Sequence, residues 1–175
     1  MPAGTSAKRA RESRAETSAC AYNWISPGGD GRWRFQSSWF NCRTLDQRRE
    51  RKLDVHLNTR AMGPALWHVY FTRDGKMIEL LSKWGASWRR AQEQTEHGKP
   101  AGTFPPVIDS DTGEYLIRSS DWAKPQAEWD YFQWSPGAQD SLSGLMGALF
   151  DLTGEPDWAA AARAGYAAIQ RPVFP

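Results

Sequence analysis

Asp54, His56 and Asn58 occupy every second position of the run KLDVHLN, residues 52–58. On a β-strand these three would project from one face. An aspartate can orient an imidazole, and an oriented imidazole can act as a general base. An enzyme centred on Asp54 and His56 is therefore one reading of the chain. The same alternation places Leu53, Val55 and Leu57 on the opposite face, and a half-buried strand with a solvated polar side needs no chemistry to explain it. The solvated face is the preferred expectation.

The remaining reactive groups form no familiar constellation. His56, His68 and His97 share no ligand-like spacing. Cys20 and Cys42 have no CxxC partner. Cys42 lacks the flanking residues of a catalytic thiol and reads as a small apolar side chain. DSDTGE, residues 109–114, offers acidic oxygens, but Ser120 stands where a calcium loop would end on Glu, so it reads as a turn. No phosphate-binding loop, dinucleotide fingerprint, zinc-protease helix or nucleophile elbow occurs. No metal and no cofactor is expected.

Two segments could bind a macromolecule. The first interleaves Arg32 and Arg34 with Trp33 and Phe35, then continues through Arg43, Arg48, Arg49, Arg51 and Lys52 to Arg60. Rings that stack on bases beside phosphate-holding arginines would suit single-stranded nucleic acid. Strand geometry counts against this. Trp33, Phe35 and Trp39 fall on odd positions and Arg32 and Arg34 on even ones, so rings and charges should face opposite ways. Asp46, Glu50 and Asp54 also blunt the charge. The second segment gathers Trp122, Trp129, Tyr131, Phe132 and Trp134 beside Asp121, Glu128 and Asp130. Acidic neighbours repel phosphate, and Trp and Tyr are favoured anchors of protein interfaces. Trp122, Trp129, Tyr131 and Trp134 are thus expected to bind a protein partner, unless the rings plug the core instead.

These candidates depend on the elements that carry them. CAYNWI and RWRFQSSWF flank SPGGDG, whose Pro and Gly residues predict a β-hairpin. ALWHVYFT, residues 65–72, reads as a central strand because it is apolar and aromatic. Residues 76–82 are ambiguous, with a strand slightly preferred, although Met77, Leu81, Trp84, Trp88 and Ala91 step as a helix face. A helix over 83–95 is expected either way. VID and EYLIR should pair around SDTG, and Pro125 suits the first turn of a helix. Two capped helices end the chain, one from Ser135-Pro136 to Gly154 and one from Pro156, and their short link predicts an antiparallel pair. Together these predict an α+β fold: an antiparallel sheet of about 5–6 strands packed against C-terminal helices. Residues 1–20 are expected to be a flexible basic tail, and 21–175 a single α+β domain.

At 175 residues with ten Trp, seven Phe and five Tyr, the chain can build a core without disulfides. The net charge of +2 conceals a polarity. Residues 1–100 hold eighteen Lys and Arg against ten Asp and Glu; residues 101–175 hold four against ten. Such a dipolar molecule suits phosphates, an oppositely charged protein or a second copy. No apolar run of about 18 residues is present, and the polar start lacks a secretory signal's apolar middle, so a cytoplasmic location without membrane contact is expected. The expected function is that of a small soluble, bacterial-type accessory or inhibitor protein. It would occlude a protein partner with an aromatic and charged surface. Nucleic-acid binding through 32–60 and the tail is the alternative.

Overall fold

In the computed structural model, residues 24–39, 41, 44–127, 129 and 132–170 are described. The expected tail, Cys20, Cys42, Arg43 and Tyr131 lie outside them. The architecture is α+β, but the sheet is far smaller than expected. In place of about 5–6 strands, the described residues form four strands of three residues, in two separate antiparallel pairs. β1 (Ile25–Pro27) pairs with β2 (Trp33–Phe35), with Ile25 opposite Phe35 and Pro27 opposite Trp33. β3 (Leu53–Val55) pairs with β4 (Val107–Asp109), with Asp54 opposite Ile108.

The first pair is the expected hairpin. Gly31 adopts φ 76°, a left-handed conformation open to glycine, and Gly28 N–H donates to the Arg32 carbonyl at 2.9 Å. The second pair differs from the expected one. SDTG does form a tight turn, with Asp109 Oδ1 accepting from Asp111 N and Thr112 N, both at 2.9 Å. Yet β4 finds its partner in β3, about fifty residues earlier, rather than in EYLIR.

Five α-helices among the described residues follow from, or replace, the expected elements. α1 (Asn58–Ala61) is one short turn that begins immediately after β3. α2 (Gly63–Thr72) occupies the run expected to be a central strand. Pro64 sits in its first turn, where a missing N–H costs nothing. A central strand needs a neighbour on each edge, and these two-stranded sheets supply none. α3 (Gly75–Glu93) absorbs the residues 76–82 preferred as strand. Asp74 caps it, accepting from Lys76 N at 3.0 Å and Met77 N at 3.3 Å, so the helix face stepping from Met77 to Ala91 runs unbroken.

α4 (Pro136–Thr153) and α5 (Pro156–Ile169) match the reading of the sequence. Ser135 Oγ accepts from Ala138 N at 3.1 Å, and Gly154 closes α4 at φ 74°. The helices pack along each other, with Gly165 letting α5 approach Ser143 and Phe104. None of the described residues between Pro125 and Ser135 is helical. There the buried Gln126 takes over main-chain bonding: its Oε1 accepts from the N–H groups of Ile117, Arg118 and Ser119, and its Nε2 donates to the Asp121 carbonyl at 2.7 Å.

Two apolar clusters result. The larger joins Phe35, Trp84, Trp88, Phe104 and Trp122 to the inner faces of α4 and α5. The smaller joins Leu53, Val55, Val107, Ala127 and Phe132. No helix among the described residues is long and apolar enough to cross a membrane.

Candidate functional site

Of the three groups expected on one strand face, the structure joins two and separates the third. β3 ends at Val55, and the chain turns into α1. Asn58 swings back so that its Nδ2 donates to Asp54 Oδ1 at 2.9 Å. His56 turns away; its Nδ1 lies 3.4 Å from the Pro106 carbonyl and its ring stands edge-on to Phe132. The aspartate therefore does not orient the imidazole. Both faces of β3 are buried, so the solvated polar face is also corrected. Asp54 is fully buried and accepts from Trp84 Nε1 at 2.7 Å and Phe35 N at 3.1 Å. Burial outweighs these donors and pushes its carboxyl up to about 7. Burial also lowers the His56 imidazole below its ordinary value.

The arginine segment is divided between core and surface. Arg34 is only 2% exposed. Its guanidinium forks onto Asp30 and also donates to the Ser110 and Asp111 carbonyls at 3.3 Å. Arg51 is buried too, 4.6 Å from the Trp129 ring centre and 5.3 Å from that of Trp39. Arg32 pairs with Asp30 at 3.3 Å, and Arg48 with Asp46 at 2.6 Å. Arg49 and Lys52 are exposed. The expected split of charges outward and rings inward thus fails twice: at Arg34, which lies buried between half-buried Trp33 and buried Phe35, and at Trp39, whose ring is 52% exposed. The paired carboxylate of Asp30 and the Ser110 and Asp111 carbonyls make the burial of Arg34 tolerable.

The acidic aromatic segment turns inward. Trp122 is buried in the larger cluster and Trp134 packs half-buried against it. Trp129 lies half-buried between Trp39, at 5.1 Å, and Phe132, at 5.8 Å. Trp122 and Phe132 thus fill the two cores, while Trp129 and Trp134 keep part of their rings at the surface.

Among the described residues, three neighbouring exposed rings gather on α2, while Trp39, Phe150 and Tyr166 are exposed elsewhere. Trp67, Tyr70 and Phe71 are 66%, 53% and 74% exposed. The Trp67 and Phe71 rings stack with centroids 6.0 Å apart at 16°, and Tyr70 meets Phe71 at 5.4 Å and 90°. At about 150–250 Å² per ring, they leave on the order of 300–500 Å² of aromatic surface in water. That equals the largest apolar patch of a typical monomer, which is often functional. No residue of α2 is charged, and Val69 is its one fully buried side chain. The exposed cations Arg60, Arg73 and Lys76 lie in the segments flanking it. Arg73 ends the helix at φ 52°, with its guanidinium 5.7 Å from the Tyr70 ring centre. Reading 65–72 as a strand hid this face. The available signal was crowding: Leu66, Trp67, Val69, Tyr70 and Phe71 surround a helix, and a helix on a small core buries only one side.

Comparison with protein-family models, curated proteins and solved structures finds no match for this chain.

Proposed function

We propose that this protein acts by docking onto a protein partner through the Trp67–Tyr70–Phe71 face of α2, occluding whatever surface it covers. One observation carries this reading: three mutually contacting rings stand in water on a helix without charges. Leaving them there forgoes about 25 cal/mol for each Å² that a partner would cover. Trp, Tyr and Arg are the residues that concentrate binding energy at interfaces, and Arg73 stands over Tyr70 at the edge of this patch. The reading transfers the anchor role from Trp122, Trp129 and Trp134, whose rings serve the two cores, to α2.

The test places a photo-crosslinking residue at exposed His68, in the same helix, and compares the full chain with its Trp67→Ser/Phe71→Ser variant in an extract of the native host. Capture of one discrete protein that disappears in the variant, at an unchanged thermal midpoint, is the expected result. Equal capture by both forms would refute the reading.

A further inference from the structure

Trp67, Tyr70 and Phe71 fall at positions i, i+3 and i+4 of α2, the spacing of one helical ridge. The ring contacts follow from it. Trp67 and Phe71 stack, and Tyr70 stands edge-on to both, 6.5 Å from Trp67 and 5.4 Å from Phe71. Val69, on the side that meets the core, is wholly buried and fixes the helix beneath the ridge. Apolar anchors at this spacing are what a groove reads from a helix.

Area points the same way. The rings leave about 300–500 Å² in water, whereas a stable interface takes about 800 Å² from each partner. A flat contact on the ridge alone falls short of that. A groove also covers the flanks of the helix, where Pro64, His68 and Thr72 are exposed.

Charge sets the chemistry of the rim. Residues 58–78 carry Arg60, Arg73 and Lys76 against the single carboxylate of Asp74. All three cations are exposed, and none forms an ion pair among the described residues. Asp74 is turned to the main chain of α3 as its cap, and Glu79 pairs with Lys83 at 2.6 Å. On the α4 side, the exposed Asp151 offers Arg73 its carbonyl at 3.4 Å. The uncharged ridge thus has positive charge beyond both ends, and acidic groups are its complement. A second copy of this chain, packed ridge to ridge, would bring the same cations together, since a two-fold contact sets like patches face to face. Three cations also fall below the cluster of about 4–8 that marks recognition of an anionic lipid surface.

We infer that the occupant of the α2 ridge is an apolar groove on a partner protein, rimmed by Asp or Glu side chains. The groove takes Trp67, Tyr70 and Phe71, and the rim carboxylates pair with Arg60, Arg73 and Lys76. The inference rests on the docking role proposed for α2 and adds the chemistry of the partner.

Photo-crosslinking from position 68 in an extract of the native host, with the crosslinked peptides sequenced by mass spectrometry, tests it. Four forms of the full chain are compared: the unaltered ridge, Trp67→Ser/Phe71→Ser, Arg60→Glu/Arg73→Glu/Lys76→Glu and the milder Arg60→Gln/Lys76→Gln. Crosslinks are expected in apolar segments bordered by Asp or Glu. At an unchanged thermal midpoint, charge reversal should cut capture about tenfold or more and the glutamine pair should cut it less. Raising salt from about 0.05 to 0.5 M should weaken capture by the unaltered ridge. Capture indifferent to charge reversal and salt, crosslinks bordered by Lys or Arg, or crosslinking to a second copy overturns the inference and leaves the docking role standing. Equal capture by the Trp67→Ser/Phe71→Ser form, or no capture by any form, removes the docking role and this inference with it. So does sedimentation with phosphatidylserine vesicles that Trp67→Ser/Phe71→Ser abolishes, which would assign the ridge to a lipid surface.

Discussion

The indole of Trp84 donates its Nε1–H to Asp54 Oδ2 at 2.7 Å, across thirty positions of sequence and wholly inside the protein. The same oxygen accepts from Phe35 N, while the Phe35 carbonyl accepts from Ser110 Oγ at 2.6 Å. Phe35 thus satisfies both of its outward main-chain groups with side chains from β3 and from the residue that follows β4. Asp54 and Ser110 splice the two small sheets where a broad sheet would use a continuous ladder.

Removing that splice should be costly. Asp54→Ala leaves three buried donors, on Trp84, Phe35 and Asn58, without their acceptor. At about 1–3 kcal/mol for each orphaned group, we expect a loss of about 3 kcal/mol or more. Urea denaturation followed by tryptophan fluorescence measures it. A loss below about 1 kcal/mol would mean the splice is dispensable.

The same carboxyl sets a pH dependence. Its native pKa, raised from 3.8 to about 7, means that the folded state holds the proton more tightly than the unfolded chain. The stabilisation from Asp54 is therefore full below about pH 4 and is lost as pH rises towards 7. His56, shifted downward, acts in the opposite sense: its neutral native form favours folding above its ordinary pKa of 6.5, an advantage that fades as pH falls. Subtracting the stability profile of Asp54→Asn from that of the wild type isolates the first effect. The difference should decline between pH 4 and 7, and a flat difference would contradict the assignment.

Arg34 should be the most sensitive basic residue. Asp30→Ala strips its buried guanidinium of the paired carboxylate; because Asp30 itself is partly exposed and the Ser110 and Asp111 carbonyls remain, the cost should fall below the about 3–5 kcal/mol of a fully buried pair. Gly113→Ala attacks the same group from the other side, since a Cβ there would overlap the guanidinium at a backbone φ of 76°. Both variants should lower the thermal midpoint by several degrees, whereas Arg49→Ala, at an exposed position, should leave it within about 2 °C.

Glycines within the helices should respond with opposite signs. A Cβ at Gly165 would strike Ser143 Oγ and lie 2.8 Å from Phe104, so Gly165→Ala should destabilise by about 1–3 kcal/mol. Gly144 has nothing within 4 Å of such a Cβ, and Gly144→Ala should stabilise by about 0.5–1 kcal/mol through lost unfolded-state freedom. Scanning calorimetry of the two variants decides; a shared sign would be inconsistent with this packing of α5 on α4.

By itself, the sequence determined whatever rests on neighbours along the chain. Ser135, Pro136 and Gly154 bound α4, and Pro27 to Gly31 turn the first hairpin, because caps and turns are made by residues a few positions apart. Period-two alternation misled at 53–58, since a three-residue strand running into a helical turn shows the same pattern. At 65–72, an apolar run with no period left helix and strand undivided, so the Trp67–Tyr70–Phe71 face stayed hidden. Only the tertiary structure decided that Arg34 lies inside, that Trp122 fills the core and that Asp54 bonds Trp84. Each depends on a partner tens of residues away, and burial is settled by which segments meet in space.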